Sequence, residues 1–254
     1  MIHPSAIIHS GAQIGANCEL GPYCVIGEHV VLGAGNRLHS HVVVDGHTVI
    51  GGENEIFPFT TVGVRTQDLK WVGGTTWTRI GDHNTIREHV EIHSATGDGE
   101  ATVIGSHNNL LAGSHIAHNC ILQDHTILSS AGLAGHVLVE DHAIVGGKSN
   151  VHQFCRVGTM SIIGGMSKVV QDVPPYMLID GNPAVTRTVN KVGLERQGVS
   201  EEAQRALRQA FKILFKEKLT ISNALLKIEA ELPPLPEILR LTEFTRTSER
   251  GLCK

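Results

Sequence analysis

MIHPSAIIHSGAQIGANCELGPYCVIGEHVVLGAGNRLHSHVVV, residues 1–44, carries an aliphatic side chain at every sixth position: Ile2, Ile8, Ile14, Leu20, Ile26, Leu32, Leu38 and Val44. The series continues at Ile50, Ile56 and Val62, and returns at Ile80, Ile86 and Ile92 and again at Ile104, Leu110, Ile116, Leu122 and Leu128. It then slips back one residue and runs on through Leu133, Val139, Val145, Val151, Val157, Ile163 and Val169. A period of six suits the two-residue alternation of a strand and suits the 3.6-residue helical turn poorly. The expectation is short strands with a bend in every hexad and the aliphatics inside. Glycine often follows the aliphatic, as at Gly15, Gly21, Gly27 and Gly33, and the fourth residue after it is usually small, as at Ala6, Ala12, Ser149 and Ser161. Asn36, Asn54, Asn84 and Asn108 hold that same slot. Asparagine accepts turn geometries that most residues avoid, so these four are read as corner residues.

Two stretches interrupt the period, one near 64–79 and one near 94–103. Breaks in a solenoid map to external loops, and excursions this long are uncommon without a role. After Pro174, Pro175 and Tyr176 the hexads cease. From Ser200 the pattern is helical: Ser200 is a suitable N-cap, and Glu201 and Glu202 favour a helix N-terminus. Leu207, Phe211 and Leu214 form an apolar docking stripe, and a further helix is expected between Glu237 and about Arg250. The expected organisation is a β-helical domain over 1–190 and a helical domain over 191–254 that covers one end of the solenoid.

The 254 residues are 41% hydrophobic and 18% charged, with a formal net charge of −4. Such a composition suits a soluble globular chain and argues against an overall electrostatic grip on nucleic acid. No apolar run reaches the roughly 18 residues that would suggest a membrane span. The opening MIHPSAIIHS lacks the features of a secretory signal. Cys18, Cys24, Cys120 and Cys155 all fall in the small corner slot, without CxxC pairing, which points to a reducing compartment and hence the cytoplasm. Cys253 stands outside the scheme, in what reads as a frayed tail.

The sixteen histidines sort by the same register. Nine sit three residues after an inward aliphatic: His29, His41, His47, His83, His89, His107, His125, His136 and His142. Five sit directly after one: His3, His9, His39, His93 and His152. These are read as recurrent surface or corner sites. Only His115 and His118 fall outside both classes, which marks them as candidates for chemistry. Their spacing of three is not a recognised chelating pattern, so no metal is expected.

GSHIAHNC (113–120), LAGHV (133–137), VHQFC (151–155), QDVPPY (171–176) and DGNPA (180–184) occur in that order, accompanied by QDLK (67–70), IGDHNTIRE (80–88) and VNKVGLERQG (189–198). Together with the hexads they resemble the UDP-N-acetylglucosamine acyltransferases of lipid A biosynthesis, a family of hexapeptide-repeat acyltransferases, over nearly the whole chain. The resemblance implies a left-handed parallel β-helix with a C-terminal α-helical domain, a homotrimer with clefts between adjacent helices, and no cofactor. It implies transfer of a 3-hydroxyacyl group from acyl-carrier protein to the 3-hydroxyl of UDP-N-acetylglucosamine. By the same resemblance His118 is the general base and the Gly135 N–H donates to the oxyanion. His115, His136, His152 and Gln153 line the cleft, Asp68 and Lys70 contact the nucleotide sugar, and Asn190 and Arg196 serve the uridine–diphosphate end. Met160, Gly165 and Met166 are candidates for setting acyl chain length.

Three positions depart from the family pattern. Asn119 stands where most relatives have an aspartate, Pro183 replaces a histidine found in some, and Val192 replaces a glutamate found in some. A neutral amide beside the base stabilises an imidazolium less well than a carboxylate. Some members of the family prefer a 3-amino analogue of the sugar, so the resemblance leaves N-acylation open beside O-acylation. The rival of a different class, a non-catalytic solenoid scaffold, would show monotonous repeats without such excursions and irregular motifs. Independently of the family, Arg205, Arg208, Lys212 and Lys216 are spaced three, four and four apart, on one helical face. Such a basic stripe suits an acidic partner, and acyl-carrier proteins are strongly acidic.

Overall fold

The computed structural model describes residues 1–254. The chain winds through three flat faces of nine, eight and ten strands, most of them only two residues long. On the first face Ile8, Ile26, Val44, Val62, Ile92, Ile116, Leu133, Val151 and Val169 are successive partners in register. All pairings are parallel except the last hairpin, Met177–Gly181 with Ala184–Val189. This is the strand-and-bend coil expected from the hexads, and the left-handed parallel β-helix that the family resemblance implies. The inward aliphatics from Leu20 to Val169 are buried in one continuous core, so the period of six is a period of burial. One further strand extends the coil past the last hexad, with Ile179 seated on Ile163.

The interruptions leave the register intact because they are whole numbers of hexads. Ile50 pairs with Ile80, thirty positions on, and Ile80 with Ile104, twenty-four on, where the regular step is eighteen. The insertions emerge between Val64 and Trp77 and between His93 and Ala101. They lie on one side of the coil, where the first face turns into the second.

The corners explain the histidines and correct the reading of the asparagines. Third positions after the inward aliphatic, among them His41, His89, His107, His125, His136 and His142, have φ near +60°. Asparagine and histidine are enriched in this left-handed region. Because the corners stack, His83, His107, His125 and His142 form a column of near-parallel rings 4.8–5.0 Å apart. Asn36, Asn54, Asn84 and Asn108 are not in that conformation. They point inward as a buried ladder, each side-chain oxygen accepting the backbone N–H of the next member, and Asn108 closes on Thr126. Buried polar side chains are nearly always hydrogen-bonded, and this stacking supplies the ladder's oxygens with donors.

Beyond Val189 come α1 (Lys191–Arg196), α2 (Glu201–Phe215), α3 (Ile221–Glu231) and α4 (Pro236–Arg246). Ser200 caps α2 by accepting the Ala203 N–H. Leu207, Ala210, Leu214, Ile228 and Leu241 pack on Tyr176, Met177 and Val189, so the helices close the C-terminal end of the coil. Two arginines fasten them sideways. Arg156 bonds Asp172 and the Phe244 carbonyl, and Arg240 bonds Glu140, a side chain only 2% exposed. Cys253 corrects the expectation of a frayed tail. It is buried, its N–H donates to the Asp172 carbonyl, and burial pushes its thiol up to about 12. Leu252 beside it forms an isolated parallel bridge to Asp172, which no hexad announces.

Candidate active site

His118 lies two residues past inward Ile116, at the corner between the first and second faces, where the following residue, Asn119, has a φ of +60°. That corner conformation brings the Asn119 amide back beside the imidazole, and Nδ1 of His118 stands 3.0 Å from Asn119 Oδ1. The ring is 14% exposed. Its Nε2 faces Oδ2 of Asp68 at 3.7 Å, carried in by the first insertion. Asp68 is itself anchored, its backbone N–H donating to Thr66 Oγ1 and its carboxylate accepting the Lys70 N–H. That bond, and then the nearby imidazole of His118, hold the carboxyl below its ordinary range.

One coil further on, Gly135 is buried against the same ring. A side chain there would run into Cε1 and Nε2 of His118, so glycine is required for the two to approach. The Gly135 N–H donates to no acceptor within the protein. His136 meets His118 edge-on at 5.2 Å and stacks on Phe154 at 4.7 Å. Desolvation, and then the charge of His118, lower the His136 imidazole below its usual value.

Beside this corner a groove of about 360 Å³ runs over the first face, lined by His115, Leu133, Ala134, Asn150, Val151 and His152 among others. His115 bonds Glu91 Oε2 through Nδ1 at 3.0 Å. His152 lies at the rim within 3.4 Å of Arg250, and Gln153 beside it is exposed. One group in this neighbourhood offers metal-ligating atoms: Glu91, His93 and His115, all within 4.8 Å of one another. His93 is 6% exposed, bonds the Arg65 carbonyl through Nδ1, and has no partner for Nε2. Its register position, directly after inward Ile92, gave no hint of this.

Asp68, His115, His118, Gly135, His136 and His152 thus gather along one corner and face, with Lys70 and Gln153 exposed beside them. Other candidates lie elsewhere. Asn190 caps α1, its oxygen accepting the Gly193 N–H and its nitrogen donating to the Met160 carbonyl, so both ends of the amide are engaged. Arg196 is exposed in the last turn of α1. Met160 occupies the corner that follows the second face, and Gly165 and Met166 the corner that follows the third, so within one chain they do not meet at His118. Arg205, Arg208, Lys212 and Lys216 are all exposed along α2 and form no ion pair. The sequence reading missed Glu100, at the end of the second insertion, which bonds Asn119 Nδ2 at 2.7 Å. Neither period nor motif marks it.

Two family models match: the one described as UDP-N-acetylglucosamine O-acyltransferase, domain 2, over 172–253, and the bacterial transferase hexapeptide over 11–46. The acyl–acyl-carrier-protein–UDP-N-acetylglucosamine O-acyltransferase of Gloeothece citriformis is 43% identical over 190 residues, 74% of this chain and 69% of that one. Among solved structures, LpxA from Acinetobacter baumannii superposes with a TM-score of 0.96 at 47% identity, covering 100% of this chain and 99% of its own. The UDP-N-acetylglucosamine acyltransferase of Bacteroides fragilis gives 0.97 at 38% identity, covering both chains completely.

Proposed function

This chain belongs to the family of acyl–acyl-carrier-protein–UDP-N-acetylglucosamine O-acyltransferases, and from that premise we propose that it moves a 3-hydroxyacyl group from acyl-carrier protein to the 3-hydroxyl of UDP-N-acetylglucosamine, the first step of lipid A biosynthesis. The observation that carries the reading is the meeting of His118 Nε2, the Asp68 carboxylate and the unengaged Gly135 N–H at one corner.

A sugar hydroxyl is a poor nucleophile until a base accepts its proton, and imidazole titrates near working pH. His118 Nε2 takes that proton as the oxygen attacks the thioester carbonyl. The C–O bond forms, and the carbonyl electrons move onto oxygen, where the Gly135 N–H donates to them. Collapse breaks the C–S bond, and the imidazolium returns its proton to the departing phosphopantetheine thiolate. Asp68 faces the ring on the side where positive charge develops, and Asp68 and Lys70 present hydrogen-bonding groups to the nucleotide sugar. His115, His136, His152 and Gln153 are assigned to the walls of the cleft, and Asn190 and Arg196 to the nucleotide end. We assign chain-length selection to Met160, Gly165 and Met166. Their separation within one chain suits a homotrimer in which neighbouring coils share each cleft. The exposed stripe of Arg205, Arg208, Lys212 and Lys216 supports docking of an acidic acyl-carrier protein. No helix is long and apolar enough to cross a membrane.

The test is thiol release from 3-hydroxyacyl-acyl-carrier protein in the presence of UDP-N-acetylglucosamine, with the 3-amino analogue as a parallel arm. Turnover with the hydroxyl sugar is expected, and His118→Ala should lose at least about 100-fold in kcat. Normal turnover by that variant in a folded protein would remove His118 from the mechanism.

A further inference from the structure

The imidazole of His118 has two nitrogens, and only the one aimed at the substrate can act as base. Which one is free depends on the hydrogen bond made by the other. Nδ1 meets Asn119 Oδ1, an oxygen that also accepts the Thr96 N–H at 3.1 Å. The backbone donor decides the amide orientation, since the opposite one would set an NH2 group against an N–H. The oxygen thus faces His118, Nδ1 carries the hydrogen, and Nε2 keeps its lone pair. The Asn119 NH2 group is thereby turned to Glu100 Oε2 at 2.7 Å, and that carboxylate also accepts the Gly97 N–H at 2.9 Å. A second anchor holds Asn119 in place, its own N–H donating to Thr102 Oγ1.

We propose that Glu100 is a positioning residue for the acyl transfer: through the Asn119 amide it holds His118 in the Nδ1–H tautomer and supports the positive charge that the ring gains during reaction. The inference rests on His118 being the base. Its electrostatic logic is that a carboxylate at the far end of a polarised amide restores part of what a neutral neighbour lacks. The Asn119 hydrogen bond, and then that of Gly97, hold the Glu100 carboxyl below its ordinary range, so it is charged wherever imidazole titrates. The other charged or titratable groups around His118 are Asp68 at Nε2, Lys70 on the same insertion, His136 edge-on and His93 on the preceding coil. None of these reaches the Nδ1 side through a hydrogen bond.

The experiment compares the parent with Glu100→Gln, Glu100→Ala, the double variant Glu100→Gln with Asn119→Asp, and His118→Ala, in pH–rate profiles of thiol release. Glutamine can still accept from Asn119 and Gly97, so Glu100→Gln removes charge and little geometry. Its plateau kcat should fall about tenfold, and the acid limb of kcat/KM should move to lower pH, because losing the carboxylate makes His118 a weaker base. Glu100→Ala frees the amide and should lose more, with 15N imidazole shifts reporting a mixed tautomer. The double variant returns a carboxylate to the chain of bonds, one link closer to the ring, and should recover the limb and most of the plateau. A purely structural role for Glu100 predicts no movement of the limb and no rescue. The relay is overturned if His118→Ala is inactive while Glu100→Gln matches the parent in both plateau and limb. Should His118→Ala itself turn over normally, the base assignment falls first and the relay with it.

Discussion

Nε2 of His118 and Oδ2 of Asp68 stand 3.7 Å apart, the first on a corner of the coil and the second on the insertion between Val64 and Trp77. The gap is longer than a hydrogen bond, yet short enough for a hydroxyl entering it to reach both atoms. The carboxylate therefore faces the nitrogen that becomes charged. Asp68→Asn keeps the size and removes that charge. Its kcat should fall roughly tenfold, with the acid limb of the pH–rate profile displaced to lower pH, since a nearby negative charge raises an imidazole pKa. Initial rates across the pH range check both.

Gly135→Ala separates the demands of folding from those of chemistry. Gly135 is not among the glycines with positive φ, so its backbone conformation tolerates alanine. The atoms that a Cβ would strike are the outer atoms of the His118 ring, which can swing aside. The melting temperature should stay within a few degrees of the parent, while kcat falls by about 100-fold or more as the base is displaced from the oxyanion donor. Parent-like turnover would show that the contact places no constraint on the reaction.

How much of this was legible follows from what each residue answers to. The aliphatics from Ile2 to Val169 answer to a single repeating geometry, so counting by six finds them. His118 was found because it falls off that count. Glu100 and Asp68 belong to insertions whose paths are set by hydrogen bonds between segments far apart in sequence, from Thr96 to Asn119 and between the Thr66 and Thr96 hydroxyls, and no local pattern encodes those. Asp68 was reached only through the family motif around it. The asparagine ladder was misread for a related reason. The same small slot serves both a turn and a buried hydrogen-bond column, and only stacking chooses between them.

Arg156 is the joint between coil and helices. It bonds the Asp172 carboxylate, which is 1% exposed, donates to the Phe244 carbonyl, and lies over the Phe244 ring at 4.1 Å. Ser248 Oγ and the Arg156 backbone N–H are the other donors to that carboxylate. Arg156→Met keeps the packing and leaves a buried charge short of its counter-ion, a loss of roughly 3 kcal/mol. Urea unfolding should show that destabilisation, with kcat at 25 °C close to the parent in the protein that remains folded.

The basic stripe on α2 bears on one substrate only. Arg208→Glu with Lys212→Glu reverses its middle, where both residues are exposed and without ion pairs, so the helix should lose little. The apparent KM for acyl-carrier protein should rise about tenfold or more and soften with added salt, while that for the nucleotide sugar stays put. Equal change in both constants, or in neither, would make the stripe ordinary surface.

Acid should loosen this protein before it titrates most carboxylates. Burial lowers His93, and desolvation lowers His136 and His142, each below the ordinary 6.5. For a histidine shifted downward, the unfolded chain binds the proton first. Stability is therefore complete above pH 6.5, and falls as the pH drops from there towards the lowered native values, below which both states are protonated and the loss stops growing. His93 should contribute a large part. Its proton would arrive in a buried site already facing His115 and His118, with the Glu91 carboxylate compensating only in part. The melting temperature is expected to decline between pH 6.5 and 5. His93→Gln, whose amide can still bond the Arg65 carbonyl but does not titrate, should flatten that decline. An unchanged slope in the variant would assign the acid sensitivity to the other two rings.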